Sequence, residues 1–268
     1  MIPIKSDREL EDMRVACRIT AKALDDVYEH VVPGITTKEL DTIIYNSITG
    51  NGASPSFLGL YDFPASACIS INDEVIHGIP GRRKLKEGDI VKVDVGAFYG
   101  GFHGDAARTF PVGRISPEAE RLIEITRQSF FEGVKHAREG FRTQDVSYGV
   151  QNYVEKNGFS VVREYTGHGV GAKLHEPPEL PNFGSPGHGP RLLKGMTLAC
   201  EPMVNAGGCE IRLLGDGWTV VTADGSLSGH YENTLLITGK ESCEILTLTE
   251  KDILTGVRKS DGEASNGT

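Results

Sequence analysis

Two capped helices followed by strands occur twice in this chain, and that repetition restricts the folds open to it. Ser6-Asp7-Arg8-Glu9 has the form of a capping box, in which a hydroxyl and a glutamate three residues on satisfy each other's backbone N–H groups. It opens a helix to about His30, stopped near Pro33-Gly34. Thr36-Thr37-Lys38-Glu39 repeats the signal for a second helix to about Gly50, after which strands follow. Ser116-Pro117 opens a third helix, with proline at its first position, running to about Gly140. A fourth runs from Thr143 to Asn157-Gly158, and strands follow again. The simplest assembly is an α+β, two-layer fold: two pseudo-symmetric αα-β halves packing their helices on one face of a curved, mostly antiparallel sheet. A chain of 268 residues can bury the core of one such domain. We read a single domain over 1–249 and a polar tail over 250–268, with Ser260 to Thr268 disordered.

The stretch from Asp89 to Phe98 alternates, so Val91, Val93 and Val95 point one way and Lys92 and Asp94 the other. The valine face should pack against helices. Tyr99-Gly100-Gly101 is a turn signal, and a second extended run carries Asp105. A two-residue loop at Tyr99-Gly100 sets Asp94 directly opposite Asp105; a loop at Gly100-Gly101 shifts the register by two. A lone strand aspartate is usually solvated. Two of them on facing strands beside glycines ask for another explanation.

Three further residues raise the same question. His168 lies in GHGVG, where three glycines imply close backbone approach, and a second histidine, His175, follows in LHEPP. Glu201 ends the apolar run TLACEP, and Glu232 opens the apolar run before Ile237. A buried carboxylate needs a partner or a cation. Four carboxylates on one surface repel one another unless cations sit among them. Oxygen-rich donors with one imidazole suit manganese, iron(II), cobalt or zinc. Four carboxylates can bridge and flank two ions, and two ions about 3.5–4 Å apart form a hydrolytic clamp.

The five residues in this order, with their flanks, resemble the type I methionine aminopeptidases of the pita-bread metallopeptidase fold. The resemblance spans about Ile4 to Leu248. Its best segments are SACISINDEVIHGIP (66–80), VDVGAFYGGFHGDAARTFPVG (93–113), GFSVVREYTGHGVGAKLHEPP (158–178), and MTLACEPMVNAG with DGWTV (196–220). It implies that Asp94, Asp105, His168, Glu201 and Glu232 ligate a pair of divalent ions; among them we assign the proton transfer to Glu201. It implies that His77 contacts the substrate near the scissile bond and that His175 steadies the carbonyl. Phe57, Phe63, Cys68 and Trp218 match positions lining a methionine pocket, whereas Leu60 and Leu174 stand where aromatic residues often occur. Asn72 and Ser228 match a monovalent-cation site. The activity implied is removal of the N-terminal methionine from nascent polypeptides, by a monomer in the cytoplasm, near the ribosome exit region.

Other readings are narrower. Aminopeptidase P and prolidase types share the five ligand kinds but carry a large extra N-terminal domain, whereas the first helix here begins at residue 6. Type II methionine aminopeptidases carry a helical insert between the last two ligands; Glu201 and Glu232 stand too close for it. A non-catalytic pita-bread binding module would lose ligands. There is no GxSxG, HExxH or GxxxxGKS/T. Net charge of −9 disfavours non-specific nucleic-acid binding. Five cysteines without CxxC argue for a reducing compartment, and there is neither a signal-peptide core nor an apolar run of about 18 residues, so no membrane partner is expected.

Overall fold

The computed structural model describes residues 2–254, and both N-terminal capping boxes form in it. The Ser6 hydroxyl accepts from the Glu9 amide while the Glu9 carboxylate accepts from the Ser6 amide, opening helix α1, Asp7–Tyr28. Thr36 and Glu39 do the same for α2, Thr37–Gly50. Ser116 caps α3, Pro117–Val134, with the proline at its first position. This helix stops short of the expected Gly140. The amides of His136 and Ala137 bond back only three residues, to Gly133 and Val134, and Gly140 turns the chain with φ 96°. Helix α4, Thr143–Lys156, starts where the Asp145 carboxylate accepts from the Arg142 amide.

The main sheet has nine strands. Its hydrogen-bonded path runs Ser54–Pro55, Ile90–Tyr99, Phe102–Pro111, Glu232–Ile237, Thr197–Cys200, Thr166–Gly169, Glu176–Pro181. Ala67–Ile71 also pairs with Ile90–Tyr99, and Cys243–Ile245 with Glu232–Ile237. The pairings along this path are antiparallel. Two three-stranded sheets flank it, one built on Ser160–Val161, Met203–Asn205 and Ser228–His230, the other on Glu74–Ile76, Ile211–Leu213 and Val220–Thr222.

Val91, Val93 and Val95 pack, as their alternation requires, against Leu24 and Val27 of α1 and Leu40, Ile44 and Ile48 of α2. In the second half Phe130 and Val134 of α3 and Val146 of α4 pack on Leu180, Leu198, Leu235 and Ile237. Each such side chain contributes roughly 1.5–3 kcal/mol on burial. α1 lies directly on the hairpin: a Cβ on Gly104 would stand 2.7 Å from the Cys17 backbone. Since Gly104 faces the helix, its neighbour Asp105 faces away from it.

The hairpin turns at Gly100-Gly101, both with positive φ (59° and 91°), and Tyr99 pairs with Phe102. Asp94 therefore pairs with Ala107, and Asp105 with Gly96. The two aspartates are diagonal neighbours on one face rather than directly opposite. Beyond Thr249 the polar stretch does not begin as a tail. It forms a short helix, α5, Glu250–Leu254, whose Asp252 is buried and whose Glu250 amide donates to Asp25 at 2.8 Å. The Ser260–Thr268 segment expected to be disordered lies outside the described residues.

Candidate active site

The face of the sheet away from the helices carries the polar residues. Cys68, Asp94, Ala107 and Glu232 form one cross-strand row, because Asp94 pairs with both Cys68 and Ala107 and Ala107 pairs with Glu232. Asp105 lies two residues along from Ala107 on the same face. His168 pairs with Ala199, and Glu201 directly follows that strand. The glycines around His168 make room for this pairing. A Cβ on Gly167 would collide with the Ala199 and Leu180 carbonyl oxygens, and one on Gly169 with those of Pro177 and Glu176.

These side chains converge. Donor atoms of Asp105, His168 and Glu232 lie within 4.8 Å of one another. His168 Nε2 stands 3.5 Å from Glu201 Oε1 and 3.8 Å from Asp105 Oδ2. Asp94 lines the same cavity. Burial raises the pKa of Asp94, Glu201 and Glu232 well above the carboxylate range, and their mutual negative charges add to it. Burial likewise raises Asp105. Asp94 Oδ1, Asp105 Oδ1 and Glu232 Oε1 are buried with no hydrogen-bond partner among the described residues. Burial lowers His168 to about 4, so it is neutral at pH 7. Its Nδ1 lies 2.9 Å from the Gly169 carbonyl, which can only accept; the proton is therefore on Nδ1 and Nε2 presents a lone pair to the carboxylates. Orphaned carboxyl oxygens around a neutral imidazole lone pair are the donor set a hard or borderline divalent ion takes, and the residues fit such ions.

Above this floor is a cavity of about 590 Å³. Phe57, Phe63, Cys68, Leu60, Leu174 and Trp218 form an apolar cluster at it, with Phe63 and Trp218 edge to face at 5.0 Å. Leu60 and Leu174 thus take part in shaping the wall. His77, at φ 59°, sits edge-on to Tyr165 at 5.5 Å and to Trp218 at 6.3 Å. His175 stands perpendicular to His168, centroids 4.5 Å apart. Burial lowers the pKa of both His77 (to about 4) and His175, leaving neutral rings that can donate one hydrogen bond. Asn72 and Ser228 also meet, but not at this cavity: the Ser228 amide donates to the Asn72 carbonyl at 3.0 Å.

Residues not anticipated from sequence complete the surroundings. Tyr61, exposed and at φ 49°, stacks parallel to His175 at 6.1 Å. Tyr165 was adjacent to the TGHGVG signal and lines the cavity beside His77. Lys5 forms a buried ion pair with Glu176 at 2.7 Å, and Glu176 also accepts from the Lys173 amide, so the loop holding His175 is tied to the N-terminus. No local pattern relates positions 5 and 176.

A sheet-borne cluster of buried acids beneath an apolar cavity is a site for metal-assisted chemistry on a small or terminal group. The chain belongs to metallopeptidase family M24, whose pattern residues 11–239 match. It is 58% identical to a methionine aminopeptidase of Clostridium perfringens, over 92% of this chain and 99% of that one. The crystal structure of a methionine aminopeptidase from Thermotoga maritima superimposes with a TM-score of 0.91 at 45% identity, covering 92% of this chain and 100% of that one. A prolidase from Pyrococcus furiosus has the same fold (TM-score 0.76) at 24% identity, with 92% of this chain and 66% of that one covered. The fold is the pita-bread α+β arrangement, and the protein is a metallo-aminopeptidase by family.

Proposed function

We propose that this chain removes the N-terminal methionine from polypeptides by hydrolysing the first peptide bond, with two divalent ions held by Asp94, Asp105, His168, Glu201 and Glu232. One observation carries the reading: orphaned carboxylate oxygens and an apolar, aromatic-walled compartment share one cavity. When bound, manganese, iron(II), cobalt or zinc would supply Lewis acidity and a water acidified towards neutrality. Availability rather than the donor set selects among them.

The protein's own groups do the rest. Phe57, Phe63, Cys68 and Trp218 receive the methionine side chain, where each thioether–aromatic contact is worth roughly 0.3–1.5 kcal/mol. This directs the free amine to the acidic floor and the first peptide bond between it and the two histidines. Glu201 accepts the proton of the attacking water and passes it to the leaving amine. His175, neutral, donates to the carbonyl oxygen as charge develops there, and His77 donates to the substrate backbone. The partners in this reading are nascent chains at the ribosome exit region, met by a monomer in the cytoplasm. Among the described residues no helix is long and apolar enough to cross a membrane.

The test is elemental analysis together with a peptide panel assayed with each metal in turn. Met-Ala-Ser peptides should be cut, N-acetylated ones should not, and leucine in place of methionine should lose about 10–200-fold. Release of any residue preceding proline would move the assignment to the prolidase and aminopeptidase P type. Two bound ions with no release would point to a binding module.

A further inference from the structure

One row behind the carboxylates lies a lysine that the reaction does not use. Lys92 pairs with Thr109 across the hairpin, and Thr109 exchanges hydrogen bonds with the His230 backbone, just as Asp94, Ala107 and Glu232 align in the next row. Lys92 is 1% exposed and ranks among the largest fully buried side chains of the protein. A buried ammonium needs acceptors. The one it finds at 2.7 Å is the Asn72 backbone carbonyl.

That carbonyl is held in place from every side. Asn72 is in the left-handed region, φ 55°. Its side chain donates to Asp89 at 2.9 Å and accepts from the Ile90 amide at 2.9 Å. Its own amide donates to the Ile90 carbonyl, and the Ser228 amide donates to its carbonyl at 3.0 Å. The oxygen thus has one lone pair on Ser228 and the other on the lysine. Burial, the largest influence, lowers the pKa of Lys92 to about 7, and Arg83 lowers it further, while the carboxylates of Glu74, Asp73 and Asp89 act to keep its charge. Asn72 and Ser228 are the two positions whose resemblance implied a bound monovalent cation. Here the carbonyl of the first already faces a cationic group of the chain itself.

We propose that the Lys92 ammonium is a built-in monovalent cation: it occupies the place at the Asn72–Ser228 junction that a potassium or sodium ion would otherwise fill, and this protein binds no such ion there. The junction joins three pieces of the fold. Strand Ile90–Tyr99 carries Asp94, the turn at Asn72 leads into Glu74–Ile76 and His77, and Ser228–His230 leads into Glu232. A tethered cation at this point welds those segments without depending on the salt around them.

Thermal unfolding of the metal-loaded protein in potassium, sodium and tetramethylammonium chloride at equal ionic strength tests this. The native protein should show the same midpoint in all three salts. Lys92→Ala should unfold about 5 °C or more lower in tetramethylammonium chloride, and potassium or sodium should selectively recover part of the loss by entering the vacated place. Lys92→Met, which keeps most of the side-chain volume, serves if the alanine variant does not fold, and it should lose stability without ion rescue because the methionine fills the space. Selective stabilisation of the native protein by potassium or sodium would overturn the proposal even if neither variant folds. So would a loss in Lys92→Ala that no small cation reverses, since mere loss of packing does that.

Discussion

Removing a proposed ligand should stabilise the metal-free protein and destabilise the metal-loaded one. The perturbation is Asp94→Asn. In the absence of ions Asp94 is a buried carboxylate with one oxygen unpartnered among the described residues, facing the charge of Asp105. The amide is neutral, nearly isosteric, and can donate to the neighbouring acids. Relieving one unsatisfied buried group is worth about 1–3 kcal/mol. For a domain of this size that raises the melting midpoint by roughly 2–12 °C.

The pH dependence fixes the sign. Burial raises the folded-state pKa of the acids above their unfolded values near 4. Such groups contribute stability that is complete below the unfolded pKa and is lost as pH rises through the folded one. Asp105, raised to about 7, places part of that loss between about pH 4 and 7. The chelated native protein should therefore melt at progressively lower temperature from pH 5 to pH 8, and the advantage of Asp94→Asn should grow over the same range. With ions added the order reverses: at one thousand times the dissociation constant the native protein gains about 4.1 kcal/mol that the variant forgoes. Calorimetry in chelator and in excess manganese, at pH 5 and pH 8, reads all four cases. A variant less stable than the native protein in chelator at pH 8 would refute the argument, since the carboxylate would then be contributing to the fold rather than opposing it.

How much of this was legible depended on whether the cause was local. The capping boxes at Ser6 and Thr36 are four-residue signals, and the helices start where they say. The face of Lys92 and Asp94 followed from alternation alone. The register did not, because Tyr99-Gly100 and Gly100-Gly101 are both workable two-residue turns and only the second puts a glycine at each positive-φ position. The end of the domain was hidden more deeply. Residues after Thr249 read as tail because they are polar, yet Asp252 is buried against Arg108 at 2.6 Å. The signal was on the other partner: Arg108 lies inside the strand DAARTF on the valine-facing side, and a buried guanidinium must find a carboxylate somewhere. The pairing of Lys5 with Glu176, and the placement of Tyr61 over His175, are set by tertiary geometry that no short window encodes.

His175→Ala should retain full metal content but lower kcat by about 100-fold or more, as loss of an oxyanion donor does; loss of metal instead would make His175 a ligand. Trp218→Ala should raise KM for methionyl peptides more than it lowers kcat, because the indole packs on Phe63 at the pocket wall rather than at the acids; an unchanged KM would remove it from the side-chain pocket. Arg108→Met tests whether the C-terminal helix supports the metal centre. Arg108 donates to Asp252, to Asn233 Oδ1 at 2.8 Å and, at 2.6 Å, to the backbone carbonyl of Glu232, while its guanidinium lies 4.2 Å from the Tyr231 ring centroid. Methionine fills the space but leaves Asp252 without this cation and the Glu232 carbonyl without this donor. Breaking a buried pair from one side costs about 3–5 kcal/mol, which lowers the midpoint by roughly 6–20 °C. Because the lost donor also orients a proposed ligand, metal affinity should fall by about 10–100-fold, measured by calorimetric titration of the folded variant. Asp252→Asn, which keeps every Arg108 bond to the Glu232 strand, should lose stability yet bind metal as the native protein does. Equal loss of affinity in the two variants would mean that the helix acts on the site through general loosening, not through the Glu232 carbonyl.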